Sequence, residues 1–208
     1  TSDDNYLACL PIAHKIGLYS PGILNVFFAG GKAVLCNNLD CDDIFAQIEK
    51  ENITITALVP TLARIWNQYL GQGCRYDLSS IRKIIIGGSF VDESLVTKLI
   101  EKVECAILPF YGATEGLALY SIYDSSNLGG TVGYRYSVSG YEKIRIIDEN
   151  GMDVLNGEEG ELIIRGPFTI QSYYNEEAGM KDKFTADGFY RTGDKVRWDS
   201  TYGYQVLG

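Results

Sequence analysis

Histidine occurs once in this 208-residue chain, at His14, and the five cysteines (Cys9, Cys36, Cys41, Cys74, Cys105) include no C-x-x-C pair. Zinc sites draw clustered ligands from these two residue types, so a zinc centre finds little support. Four of the five cysteines lie in or beside apolar segments, where the thiol behaves as a small hydrophobe, and a reduced, cytoplasmic protein is expected. No apolar run approaches the ~20 residues that span a bilayer. The N-terminal Thr1-Ser-Asp-Asp-Asn5 shows no basic region followed by an apolar one, so neither a signal peptide nor a membrane partner is expected. The first residue is not Met, as in an excised or processed piece.

Clustered basic residues are also missing. Lys and Arg number 18 against 27 Asp and Glu, a net charge of −9. Nucleic-acid binding rests on neutralising phosphates, and no nucleic-acid partner is expected. A single nucleotide asks less, because a few N–H groups and one cation bind it locally. Gly129-Gly-Thr-Val-Gly133 lacks the Gly-Lys-Ser/Thr ending of a Walker loop, and no Ser/His/Asp set assembles a hydrolase.

What is present is an ordinary globular composition, 46% hydrophobic and 22% charged, with length enough for one large domain or two small ones. Ile53–Val59, Lys83–Ile86 and Ala106–Phe110 are short, β-branched runs of the kind found in buried parallel strands. Helical patterns alternate with them. Asp40 can cap a helix with Ile44, Phe45 and Ile48 on one face. Thr61–Leu70 places Leu62, Ile65, Trp66 and Tyr69 at spacings of three and four, and Asp92–Lys102 does the same with Leu95, Val96, Leu99 and Ile100.

After about Tyr120 the pattern changes to short strands at 143–147, 161–165, 195–198 and 204–207. Turn chemistry at Glu149-Asn-Gly151, Asn156-Gly157 and Ala186-Asp-Gly188 separates them. The expected fold class is α/β: a mostly parallel sheet flanked by helices over 1–118, then a small antiparallel sheet or distorted barrel over 119–208.

Three turns carry candidate chemistry. Tyr111-Gly-Ala-Thr-Glu-Gly116 follows a strand, at the carboxyl end where α/β sheets bind ligands. Gly112 relaxes the backbone, Thr114 can donate to a phosphate oxygen, and Glu115 is a hard ligand for Mg²⁺. The alternative is a plain turn with an exposed Glu. Gly87-Gly88-Ser89 either lets a ring or phosphate lie on bare backbone or simply turns a strand into a helix. Asp194, in Arg191-Thr-Gly-Asp194, either accepts ribose hydroxyls or is a turn aspartate. His14, beside apolar residues, is a structural group or a catalyst.

Taken together, seven collinear segments resemble the adenylate-forming superfamily of acyl-CoA synthetases, luciferases and peptide-synthetase adenylation domains. They are Leu10-Pro-Ile-Ala-His14, Ala57-Leu-Val-Pro60, Ile86-Gly-Gly-Ser89, Tyr111-Gly-Ala-Thr-Glu115, Thr131-Val-Gly133, Gly160–Gly166 with Tyr173-Tyr174-Asn175, and Gly188–Asp194. Ser20-Pro-Gly22, Ala29-Gly-Gly31, Ile53–Pro60 and Arg165–Ile170 look like the aryl-acid branch, the 2,3-dihydroxybenzoate–AMP ligases of siderophore assembly. Lys15 and Ile16 stand where that branch has Asn-Tyr, and Tyr-Gly-Ala-Thr-Glu replaces its Phe-Gly-Met-Ala-Glu.

The resemblance implies that a carboxylate, preferably of an aryl acid, attacks the α-phosphorus of Mg·ATP. The acyl group then passes to coenzyme A or to the phosphopantetheine of an acyl carrier protein. It implies that Tyr111 stacks on adenine with Gly88 and Ser89 beside the ring, and that Gly112 belongs to the nucleotide-binding set. Thr114 would contact the α-phosphate, Glu115 ligate Mg²⁺ and Asp194 hold ribose. His14, Lys15, Ser20 and Gly87 would line the acyl pocket. Lys15 either pairs with an anionic or acceptor group of the acid or packs its stem with the amine in solvent. The family's phosphate loop and its lysine-bearing C-terminal domain are expected outside residues 1–208, so this piece alone is expected not to adenylate. A general acyl-CoA ligase and a non-catalytic nucleotide-binding module are the competing expectations.

Overall fold

The computed structural model describes residues 1–19, 22–127, 132–175 and 182–208. Internal contacts divide the chain into two compact units, Thr1–Pro109 with Ile122–Gly130, and Phe110–Ser121 with Thr131–Gly208. The boundary expected at 118/119 lies inside the second unit.

In the first unit the strands are β1 (Asn5–Ala8), β2 (Lys32–Leu35), β3 (Ile55–Leu58), β4 (Lys83–Gly87) and the start of β5 (Ala106–Gly112). Their order is β2-β1-β3-β4-β5, and the β1–β2, β1–β3 and β3–β4 pairs are parallel. Parallel neighbours need a crossover: α1 (Lys15–Leu18) and α2 (Ile23–Phe28) lie between β1 and β2, α3 (Cys41–Glu51) between β2 and β3, α4 (Pro60–Gly71) between β3 and β4, and α5 (Glu93–Val103) between β4 and β5. Asp40 caps α3 by accepting from Asp42 N and Asp43 N, and Asp92 caps α5 by accepting from Leu95 N at 2.9 Å. Asn52 (φ 49°) and Glu104 (φ 54°) end these two helices in the left-handed conformation.

The helix faces read from the sequence are the buried ones except at Ile65, which is 48% exposed on α4. Ile44, Phe45, Ile48, Trp66 and Leu99 are fully buried, and the Phe45 and Trp66 rings meet edge-on at 4.9 Å. A second cluster joins Tyr6, Ala8, Leu10, Ile16, Val26 and Ala57. It holds the two short helices α1 and α2 in place.

The second unit is antiparallel. The end of β5 pairs with β6 (Ala118–Tyr120), and β6 with β7 (Tyr136–Ser137). A separate curled four-stranded sheet has the order β11 (Gly203–Val206), β10 (Tyr190–Asp199), β9 (Glu159–Arg165), β8 (Lys143–Ile147). Gly151, Gly157 and Gly188 occupy the expected turns at positive φ. Strand β9 is buried on both faces: Leu162 and Ile164 pack with Leu119, Tyr134, Ile146, Tyr190 and Val196, whereas Ile163 packs with Ile147 and Phe189. The α/β class with a helix-flanked, mostly parallel sheet and a smaller antiparallel one is therefore observed. Among the described residues no helix is long and apolar enough to cross a membrane.

Candidate active site

In the second unit the chain leaves β5 through a tight turn. Ala113 N donates to Leu117 O and Gly116 N to Ala113 O, which lifts Thr114 into solvent and leaves Glu115 half-buried. Gly116 is buried at φ 140°, and a Cβ there would run into the backbone of Phe168 and Thr169. Only glycine fits that close approach. Ile170 N donates to Glu115 O at 2.8 Å, so the turn is tied to the segment after β9.

Two hydroxyl–carboxylate pairs organise this turn. Tyr111 donates its phenol to Asp194, and Tyr173 donates to Glu115 Oε1 at 2.9 Å while lying 3.1 Å from the Tyr190 hydroxyl. Burial first, and then the Asp194 carboxylate, push the Tyr111 phenol far above its ordinary range. The Tyr173 phenol is raised as well, by Tyr190 first, then by burial and Glu115. Both therefore remain neutral donors at ordinary pH. Asp194 reaches its position because β10 bulges. The β9–β10 register shifts between Arg191 and Lys195, Gly193 turns at φ 78°, and Asp194 N donates to Thr192 Oγ1 at 3.1 Å. Thr192 Oγ1 in turn donates to Leu162 O at 2.8 Å, and Arg191 pairs with Glu161.

In the first unit, His14 and Lys15 stand at the start of α1, beyond the carboxyl end of β1. His14 is exposed and caps α1, its Nδ1 accepting from Ile16 N at 3.3 Å. That bond assigns the proton of the neutral ring to Nε2. Gly87 ends β4 and is buried; Gly88 follows at φ 93°, and Ser89 is exposed. A Cβ at Gly88 would lie 3.6 Å from Val59 Cγ1 and 3.9 Å from Ile16 Cδ1, so the His14 segment and the Gly87–Ser89 turn meet at one sheet end. The turn does not run straight into a helix: α5 begins only at Glu93, and Asp92 caps it.

Of the candidate residues, Tyr111, Gly112, Thr114, Glu115 and Asp194 come together in the second unit. His14, Lys15, Gly87, Gly88 and Ser89 come together in the first. Ser20 lies outside the described residues, as do Gly129, Gly130 and Thr131. Tyr173, Tyr190 and Thr192 received no role from sequence reasoning, although Tyr190 and Thr192 flank Arg191 in the motif itself. Their signal is a hydroxyl that can be assigned only once its carboxylate partner is seen.

Among the described residues no three His, Cys, Asp or Glu side chains cluster to hold a metal ion by themselves. The residues nevertheless fit a Mg²⁺ that arrives with phosphates. Such an ion takes one or two carboxylates and fills its shell with phosphate oxygen and water, and Glu115 keeps one oxygen outside its bond to Tyr173.

Comparison with known proteins places the chain in a family. The family described as "AMP-binding enzyme" matches residues 1–174, and the chain belongs to it. The vibriobactin-specific 2,3-dihydroxybenzoate-AMP ligase of Vibrio cholerae serotype O1 is 39% identical over 203 residues, 97% of this chain and 37% of the relative. Apo MbtA of Mycobacterium smegmatis is similar with a TM-score of 0.89 at 34% identity, covering 100% of this chain and 39% of that one. ATP-bound MatB of Rhodopseudomonas palustris gives a TM-score of 0.84 at 26% identity, covering 100% and 40%. The chain thus spans well under half the length of these proteins.

Proposed function

We propose that this chain is the core of an ATP-dependent ligase that activates a carboxylic acid, an aryl acid by preference. A carboxylate oxygen attacks the α-phosphorus, the bond to the bridging oxygen breaks, and pyrophosphate leaves an acyl-adenylate. A pantetheine thiol, on coenzyme A or on a carrier protein, then attacks the acyl carbon and AMP departs.

The observation that carries this proposal is the pair of hydroxyl–carboxylate contacts, Tyr111 with Asp194 and Tyr173 with Glu115, built on the turns of an AMP-binding fold. Tyr111 offers a ring face to adenine, and Asp194 offers an acceptor to ribose. Thr114 donates to the α-phosphate. Glu115 holds Mg²⁺, which when bound neutralises phosphate charge. His14 Nε2 donates to the acid carboxylate, Gly88 and Ser89 border the base, and Gly87, Lys15 and Ser20 complete the acyl pocket. Such catalysis is mainly positioning and charge neutralisation. The ATP-bound state of MatB supports the nucleotide, and the substrate named for the V. cholerae relative supports the aryl acid. The five free thiols support a reducing, cytoplasmic setting.

Thr114 in the turn favours a second enzymatic proposal, a general acyl-CoA ligase. ATP–pyrophosphate exchange by the full-length protein across aryl and aliphatic acids separates the two: exchange with fatty acids alone sinks the aryl preference. No exchange with any acid leaves a non-catalytic nucleotide-binding module. The 208-residue piece by itself is expected to give none, since it spans 37% of the V. cholerae relative. Acyl-adenylate formation by the piece would overturn that.

A further inference from the structure

We infer that Cys9 and Cys36 form a redox-active dithiol: a peroxide oxidises Cys36, and Cys9 closes a cross-strand disulfide onto it. The inference is independent of the proposed ligase chemistry.

Its basis is the register of the sheet. Strands β1 and β2 run parallel with Asn5 opposite Lys32 and Ala8 opposite Leu35, and the ladder continues as Cys36 N donates to Ala8 O at 3.3 Å. Cys9 and Cys36 are the next residues beyond this last pair, and continuing the parallel register sets them opposite each other. Neighbouring strands lie about 4.8 Å apart, inside the Cα separation of about 4.4–6.8 Å that a disulfide bridges. The Cys9 and Cys36 thiols are each the leading influence on the other's ionisation.

The two thiols differ in the way a reactive and a resolving cysteine must. Cys9 is buried, with Thr56 Oγ1 3.6 Å from its sulfur; Cys36 is half-exposed at a cavity of about 300 Å³ lined also by Asn38, Asp43, Gln47 and Lys50. As a thiol, Cys36 donates to Asn38 O at 2.5 Å; as a thiolate, it accepts from Cys9. The Cys9 bond prevails over burial and over the Asp43 carboxylate and brings Cys36 down to about 7. Giving that bond, together with burial, drives the Cys9 thiol far above its ordinary range. Burial raises Cys41, and raises Cys105 to about 12, so neither competes with Cys36 for the peroxide.

The chemistry balances without a further reactant. The Cys36 thiolate attacks one peroxide oxygen, the O–O bond breaks, and Cys36 becomes a sulfenic acid as the peroxide is reduced to alcohol or water. The Cys9 sulfur then attacks Cys36, its proton leaves with the hydroxyl as water, and the S–S bond forms. A small thiol reverses the step by exchange.

The test treats the protein at neutral pH with one equivalent of hydrogen peroxide. The thiol count in denaturant should fall from five to three, with a mass loss of two hydrogens, a peptide linking Cys9 to Cys36 and no dimer. Dithiothreitol should restore all five. Cys9→Ser should stop at a sulfenic acid that dimedone traps on Cys36, and should move half-maximal alkylation of Cys36 from near pH 7 toward about 8.5. Five surviving thiols, a linkage involving Cys41, Cys74 or Cys105, a bond between chains, or an unmoved alkylation profile would overturn it.

Discussion

The two units build their candidate ligand contacts differently. In the first, stability lies in helix–sheet layers around Phe45, Trp66 and Leu99, and the candidate ligand contacts are backbone turns and exposed side chains set on the sheet end. In the second, the same residues serve both purposes. Tyr190 is buried in the core and also meets Tyr173; Tyr111 packs against that core and also holds Asp194. Stability and chemistry should therefore separate under mutation in the first unit and move together in the second.

The strongest test of that contrast is Trp66→Ala. It removes a fully buried ring and should cost about 3–5 kcal/mol in urea denaturation. In a full-length protein that remains folded, the KM for ATP should not move, and a shifted KM would break the separation. Gly116→Ala comes next, at about 3 kcal/mol, because φ 140° and the Phe168 backbone both resist a Cβ. Pyrophosphate exchange should fall with stability there; retained exchange would detach the turn from the chemistry.

Tyr111→Phe should cost about 1–2 kcal/mol and weaken ATP binding in calorimetry, since Asp194 loses its buried donor. Its pH signature has a definite sign. An ordinary tyrosine ionises near about pH 10, and the folded Tyr111 phenol is raised, so its contribution is whole below that pH and is lost as pH climbs toward the folded value. Urea midpoints should thus fall more steeply above about pH 10 in the wild type than in the variant. Tyr173→Phe is the smallest effect, below about 1 kcal/mol for a half-exposed donor, and should raise the Mg²⁺ requirement of exchange. A larger stability loss at Tyr173 than at Tyr111 would invert the ranking within the second unit.

Long elements with one strong period were legible before the structure. The Asp40 and Asp92 caps, the apolar faces of α3 and α5, and strands β3, β4 and β5 stand where periodicity put them, and so does the face of α4 apart from the exposed Ile65. Strands β1 and β2 and helices α1 and α2 were not recognised, because four to six residues hold too little of any period. Strand β10 was read as 195–198 and runs Tyr190–Asp199, since Thr192-Gly193-Asp194 looks like a terminating turn and is a bulge within the strand. The site was legible as motifs and illegible as partnerships. No spacing in the sequence couples Tyr111 to Asp194 or Tyr173 to Glu115; packing around the core of the second unit does.

The bulge in β10 also carries a parity rule. Arg191 pairs with Ile163 and Lys195 with Glu161, so four steps along β10 match two along β9. The surplus is even, and side chains alternate with a period of two, so the strand resumes with its faces unchanged and Val196 returns to the core beside Tyr190. Deleting Gly193 alone would leave one extra residue on β10, the surplus of a simple bulge, and would remove the left-handed turn that sets the direction of Asp194.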